Sequence, residues 1–546
     1  SLGYAISKVE GKDLVKAGNP VNPFSILQGR ASGVNVRQSV SGPTGGVEIN
    51  IRGTNALEFE ANTRPLFVID GVPMYDTESS TNASGGNAER QGDYGSGIND
   101  LNALDIESLE VLKGAKASVL YGSAGGNGVV LITTKKGKKT KGFGVDINYQ
   151  YSVERPKNYI DFQNEFGTGW NEYDESYLDI DGVETRVQNT VAGSFGPAFE
   201  GNEDVQMLYW DGVTRPYQAY PNNYMFFYEN GHTQSTNVAV SNGGDYGNTR
   251  FSYTNYDYQG IVPDFFQKKN TLSFAGKLNI SPKVTLDFSS NFYSVKTQNR
   301  ITEWAVGMVN GLNRDAPYEE LMANGKYKVT DPNDPNYGYA YTDDYRDFND
   351  PDYVDGILQQ YYPQSPMAGQ LYHRENNRYV DEKAHLISSI RPTVYFTDWL
   401  YFVGQASIDQ TYTDIENREK PIAVDPVILG GEYRVQKEKA LNQEYRAFLN
   451  FDKTVLDDRL KIFVMGGTSY SQQYRDKLYA GISAAPGNTG FTYADWYNLG
   501  NQVVDIDGNV WPDNGNEIGN VRGFSTDERK TFSYIGLATF TWDDIY

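Results

Sequence analysis

The stretch 143–152 reads FGVDINYQYS. Phe143, Val145, Ile147, Tyr149 and Tyr151 fall on one face of an extended chain, and Gly144, Asp146, Asn148, Gln150 and Ser152 on the other. Period-two alternation marks a strand with one face in an apolar medium and the other in water. Its length is that of a tilted strand crossing a bilayer, roughly 9–11 residues.

The same pattern returns down the chain. Leu272, Phe274, Gly276, Leu278 and Ile280 alternate with polar or small residues, and so do Val284, Leu286, Phe288 and Phe292. Ala384, Leu386, Ile390, Val394 and Phe396 form a further set, followed by Phe402, Gly404, Ala406 and Ile408. Tyr445, Ala447, Leu449 and Phe451 come next, and Phe532 to Trp542 last. With less regular segments near 234–242, 249–258 and 459–471, ten strands are expected from 143 onward.

The connections separate a membrane barrel from a soluble sandwich. Short links at 243–248 (GGDYGN), 281–283 (SPK), 397–399 (TDW) and 457–459 (DDR) alternate with long ones near 157–231, 259–268, 297–382, 417–439 and 473–529. Tight turns at one end and long loops at the other are the habit of outer-membrane barrels. Composition agrees: 14% of residues are aromatic, with 42 tyrosines, as the aromatic girdles of such barrels require. The longest apolar runs are only a few residues, so no membrane helix of about 20 residues is expected. The absence of cysteine removes thiolate metal sites, disulfides and thiol catalysis. A net charge of -22 argues against nucleic acid as a partner. No secretory signal stands at Ser1, which for an exported protein means a trimmed start.

Residues 1–142 differ. VEINIRG (47–53), PLFVIDGVP (65–73), ESLEVLKG (107–114) and GVVLITTKKG (128–137) predict short strands, separated by Gly-, Ser- and Asn-rich segments. They predict a compact α+β domain over 1–142, ending at the basic KKGKKTKG, with the barrel over 143–546. The glycines of SVLYGSAGGNGVVLITTKKG (118–137) do not form a phosphate loop. Five residues before Gly137-Lys138 stands Ile132, and Leu131 occupies the third-glycine place of a dinucleotide fingerprint. A globule of this size has a radius of gyration of about 14 Å and a solid radius of roughly 19 Å. Ten tilted strands close a barrel of only about 10 Å backbone radius. Holding the globule takes on the order of 20 strands. If the globule sits inside, half the strands are expected outside this sequence, because strand edges do not stand open in lipid.

LQGRASGVNV (27–36), IRGTNAL (51–57), PLFVIDGVPM (65–74) and DIESLEVLKGAKASVLYGSAGGNGVVLITTKKG (105–137) occur in that order. Together they resemble the plug of a TonB-dependent outer-membrane transporter of the SusC/RagA-like branch. FSYIGLATFTWDDIY (532–546) is similar to a mid-barrel strand of that family. The resemblance implies a transmembrane antiparallel β-barrel of 22 strands, about ten of them present here, with an α+β N-terminal plug domain inside the barrel. It further implies TonB-dependent import of an oligomeric nutrient, glycan or peptide, across the outer membrane. The partners it implies are a SusD-like surface lipoprotein, the TonB complex and the lipid bilayer, and a dimeric or larger assembly is compatible with it. The alternative is a non-transporting surface receptor, or a component or client of a larger secretion or assembly complex.

Plug signature positions carried over by the resemblance are Arg52, Gly53, Asp70, Gly71, Lys113, Tyr121, Gly122 and Gly128. Arg52 and Asp70 are read first as a structural ion-pair network and second as moving parts. Ala124 stands where many relatives carry arginine, so no plug–barrel ion pair is assigned there. The plug loop 75–97, with Tyr75, Asp76, Asn82, Asn87, Arg90, Asp93 and Tyr94, is expected either to face a substrate or to be a solvated loop. The acids of 331–356 could supply calcium with oxygen ligands, but their spacing fits no EF-hand, and neither metal nor cofactor is the reading. The DIDG stretches at 179–182 and 505–508 predict hairpin turns. His232, His373 and His385 are widely separated and no nucleophile turn occurs, so no enzyme is expected.

Overall fold

The computed structural model describes residues 6–16, 24, 27, 29–30, 32–38, 42–51, 64–74, 94–113, 121–137, 142–157, 161–173, 175–180, 183–187, 193–209, 213–223, 225–300, 313–323, 378–419, 422–424, 427–429, 432–456, 459–483, 503–504, 510–511 and 519–542.

The N-terminal domain is built on β1 (Ile6–Glu10), α1 (Gly11–Lys16), β2 (Val34–Gln38), β3 (Val47–Ile51), β4 (Leu66–Ile69), β5 (Val72–Met74), β6 (Ile106–Leu112) and β7 (Val129–Thr134). Five of the strands form one sheet in the order β1-β6-β7-β4-β5, and β2 pairs with β3 separately. β4 runs parallel to β7, whereas β4 and β5 form a tight antiparallel hairpin with Ile69 opposite Val72. Its two turn residues, Asp70 (φ 49°) and Gly71 (φ 85°), both lie in the left-handed region. An Asp-Gly pair at a two-residue hairpin turn supplies that conformation. β4 is buried on both faces, which explains its continuous apolar run, while β7 is buried throughout one face and on the other opens from Val129 through half-buried Leu131 to exposed Thr133. Phe24 meets Phe67 edge-on at 5.7 Å in the core.

β8 (Gly144–Glu154) opens the second part. An outer module follows with β9 (Ser176–Ile180), β10 (Val183–Val187), β11 (Gln206–Leu208) and β12 (Thr214–Pro216). The long strands are β13 (Gly231–Gly244), β14 (Gly247–Gln259), β15 (Phe266–Ser281), β16 (Val284–Gln298), β17 (Arg378–Tyr395) and β18 (Leu400–Glu419). After the small hairpin β19 (Ile422–Val424) and β20 (Val427–Leu429) come β21 (Glu432–Val455) and β22 (Leu460–Ser483). β23 (Val503–Val504) and β24 (Val510–Trp511) precede β25 (Gly519–Trp542). Ten of these pair antiparallel with their nearest long neighbours in the order β25-β22-β21-β18-β17-β16-β15-β14-β13-β8, the number read from the sequence. The strands flanking both DIDG stretches pair antiparallel, Ile180 with Val183 and Val504 with Val510; residues 181–182 and 505–508 themselves lie outside the described residues.

Alternation sorts the two faces of this sheet. Leu272, Phe274 and Leu278 of β15 point outward and are exposed, while Thr271, Ser273 and Ala275 between them are buried on the inner side. The outward face is the lipid face. Phe274 is 46% exposed and lies 5.0 Å from the Phe288 ring. Phe274→Lys should therefore destabilise the barrel by about 2–4 kcal/mol. The check is heat-modifiable gel mobility, and an unfolding temperature equal to that of the unaltered protein would remove the lipid-facing assignment.

Two expectations are corrected. The connection at 259–268 is not long: only 260–265 separate β14 from β15, closed by a 2.8 Å bond from Gly260 N–H to the Phe265 carbonyl. The ladders also run far past the lipid-facing stretches, and β21, β22 and β25 each have 24 residues. Outside the bilayer both faces are wet, so pairing continues through backbone hydrogen bonds without an apolar signal in the sequence.

Candidate functional site: the seam between plug and barrel wall

The N-terminal domain packs on the inner face of β14–β18. Its apolar core reaches the wall itself, for Tyr293 of β16 and Ile387 of β17 belong to the same buried cluster as Phe67 and Ile132. Around that contact the seam is polar.

Two short 3-10 turns present its carboxylates, Gly97–Asp100 and Ala103–Asp105. Asn102 fixes the second: its side-chain oxygen accepts from Leu104 N–H (3.1 Å), and its amide donates to Asp105 (2.7 Å) and to Thr254 Oγ1 of β14 (2.7 Å). Asp105 then accepts from Arg250 (2.7 Å) and Ser252 (2.5 Å) on that strand. Asp100 lies 3.4 Å from Lys383 Nζ and 3.0 Å from His385 Nδ1, both on β17. The far side of that imidazole meets Asp409 of β18 at 2.9 Å, and Asn442 donates to the same carboxylate at 3.2 Å. Burial pushes the Asp100 carboxyl up, but Lys383 and His385 outweigh it and hold it below the usual 3.8. Lys269 of β15 donates to the Asn99 carbonyl at 2.6 Å, and Arg300 donates to the Thr44 carbonyl while gripping Asp381 at 2.7 and 2.8 Å. Removing one partner of such a buried ion pair costs about 3–5 kcal/mol, because the other charge is left buried and uncompensated. Being polar, these contacts can be exchanged for water once the two surfaces part.

The sequence-predicted positions fall as follows. Asp70 accepts from the backbone N–H (3.0 Å) and hydroxyl (2.6 Å) of Thr134, tying the β4–β5 turn to β7. Gly71 offers its carbonyl to Gln405 of β18 at 2.9 Å. Lys113 is buried and donates to the Ser32 carbonyl and hydroxyl. Tyr121 lies under the Arg446 guanidinium at 5.8 Å, and burial raises its phenol pKa. Gly122 starts a 3-10 turn to Gly125, and Ala124 is exposed within it. Gly128 adopts φ 95°, and a Cβ there would come within 2.8 Å of Ile51 Cδ1, so this glycine is required for the closing turn. Tyr94, the one predicted loop position among the described residues, is buried against the wall, and its hydroxyl accepts from Asn417 Nδ2 of β18 at 3.2 Å. Arg52, Gly53, Tyr75, Asp76, Asn82, Asn87, Arg90 and Asp93 lie outside the described residues, as do His373 and the acidic loop 331–356 with its calcium alternative.

Sequence reading missed Asp100, Asp105, Arg250, Lys269, Lys383 and Asp409, and noted His385 only as lying in a strand. The signal available was parity: in β15 and β17 the charged residues occupy positions that alternate with lipid-facing leucines. It also missed a second seam, outside the membrane. Residues 313–316 thread into the outer module, where Tyr209 donates to the Asp315 carbonyl (2.5 Å) and Asn223 donates to the carbonyls of Asn313 (2.6 Å) and Ala316 (2.9 Å). The loop after β16 is thereby fastened to the loop after β8.

The family model of the TonB-dependent Receptor Plug Domain matches residues 1–129. The chain is 36% identical over 149 residues to TonB-dependent receptor SusC of Bacteroides thetaiotaomicron, a match covering 27% of this chain and 14% of that receptor. It is 33% identical over 177 residues to TonB-dependent receptor P3 of Formosa agariphila, covering 32% of this chain and 15% of the other. Among solved structures, the RagAB peptide importer in its 'open-open' state superposes over 100% of this chain and 54% of its own, with TM-score 0.65 at 17% identity. The chain thus spans about half the length of that structural neighbour, and its matches to the curated relatives cover less than a fifth of theirs. At that identity the structural likeness establishes the fold.

Proposed function

We propose that this chain, a SusC/RagA-like TonB-dependent receptor of the outer membrane, imports an oligomeric nutrient, a glycan or a peptide, by letting its plug leave the barrel wall. A SusD-like lipoprotein delivers the cargo from outside, and force transmitted through TonB parts the seam. The observation that carries this reading is the seam itself: the plug is held at discrete polar points on β14–β18, which pulling can break and water can satisfy. A domain meant only to seal a barrel would be expected to rest on apolar packing. The seam residues bind and position; no covalent chemistry is assigned to them.

The test is native and then denaturing mass spectrometry of the receptor extracted from outer membranes, paired with growth on the oligomer released from it. A co-purifying lipoprotein, a bound oligomer and growth that stops when TonB is removed are the expected results. Growth on that oligomer at an unchanged rate without TonB would overturn the import reading.

A further inference from the structure

The wall behind the plug is cationic, and the plug supplies the answering charge. Arg250 is met by Asp105 at 2.7 Å and Lys383 by Asp100 at 3.4 Å, while Lys269 donates to the Asn99 carbonyl. Register places two of these cations at one level: Lys269 of β15 stands opposite Val295 of β16, which stands opposite Lys383 of β17. At this level the wall's own carboxylates are engaged within the wall, Asp381 by Arg300 and Asp409 by His385; nearer the short turns the sign reverses once, where Asp287 of β16 is met by Lys136 of the plug at 3.1 Å. In a chain of net charge -22, this stripe is a local inversion of sign.

When the plug withdraws from β14–β17, Asp100 and Asp105 leave with it, and Arg250, Lys269 and Lys383 come to line the opened side. Cations left in a partly desolvated wall without their counter-charges are costly. A group that takes the place of the departing carboxylates lowers the cost of the open state, and so favours it. We infer that the opened path beside β14–β17 is selective for anions, and that the cargo carries carboxylate or other anionic groups along its length. This rests on the import reading above and narrows it to an acidic oligomer. A neutral oligomer would gain nothing from the stripe.

The experiment uses the receptor purified from outer membranes and placed in planar bilayers, with urea added to release the plug. Reversal potentials are read across a gradient of potassium chloride and, separately, of potassium glutamate, whose anion carries the carboxylate. Anion permeability should exceed that of potassium about threefold, and Lys269→Gln with Lys383→Gln should lower the ratio about threefold. Lys383→Arg should leave it near the unaltered value, and Lys269→Gln alone should fall between. A ratio that neither glutamine variant changes, or a path selective for potassium in the unaltered receptor, would overturn the inference while leaving import standing. No conductance at any urea concentration would overturn both.

Discussion

On the import proposed above, a protein carrying Asn102→Cys and Thr254→Cys should lose uptake completely when the pair is oxidised, and regain it on reduction. The two side chains already touch across the seam, amide to hydroxyl at 2.7 Å, one in the turn that presents Asp105 and the other on β14. The sequence contains no cysteine, so no other thiol of these residues competes for the bond. A covalent link at this point leaves the outer loops and the lipid face untouched. It forbids only the separation of plug from wall. Uptake of the oligomer by whole cells, with and without reductant, reads the effect. Undiminished uptake in fully oxidised receptor would mean that cargo passes while the plug stays on β14.

The second large effect is loss of the seal. Asp100→Ala with Asp105→Ala leaves Lys383, His385 and Arg250 buried opposite an apolar methyl group. At about 3–5 kcal/mol for each broken buried pair, the double change removes most of what a domain's marginal stability, about 5–15 kcal/mol, can spare. The plug should then leave its seat unassisted. Cells producing the variant should become sensitive to a bulky antibiotic that the outer membrane excludes, by about tenfold or more, and a steady leak should appear in planar bilayers. Asp100→Asn with Asp105→Asn keeps the shape and loses the charge, so an intermediate leak is expected. The pH dependence follows in sign. Asp100 is held below its usual 3.8 in the folded protein, so its contribution is present at neutral pH. It is lost only as pH falls through that lowered value. Unaltered exclusion by the double alanine variant would show that the apolar contact at Tyr293 and Ile387 alone seats the plug.

The bilayer made much of this fold legible. Lipid demands an apolar side chain at every second position of a spanning strand, and Leu272 to Ile280 or Phe532 to Trp542 display that demand openly. The plug was legible for a different reason. β4 is buried on both sides and β7 on one side and at its start on the other, and both read as short apolar runs punctuated by Asp-Gly and Gly-rich turns. Where water replaces lipid, the constraint vanishes. The segment 434–444 carries charges on both faces and gave no strand signal, yet it pairs residue by residue with β18 and β22. The connection at 260–265 was misread for the same reason, since Gln267 and Lys269 look like loop residues and are in fact ladder residues facing inward. The seam was least visible. Its inner-wall positions are polar like any water-facing position of a barrel, and Asp100 finds His385 across a separation of 285 residues. Nothing local in either stretch names the other.

The long ladders have a geometric consequence. A 24-residue strand rising about 3.3 Å per residue and tilted about 40° climbs roughly 60 Å. The apolar band it must cross is only about 25 Å tall. Some 35 Å of β21, β22 and β25 therefore stands clear of the membrane as a rigid parapet, stiffened by an unbroken hydrogen-bond ladder. Such a rampart makes a vestibule deep enough for an extended oligomer of roughly ten residues at about 3.3 Å each. On the import proposed above, selection by length would be completed in this forecourt, before the plug is disturbed.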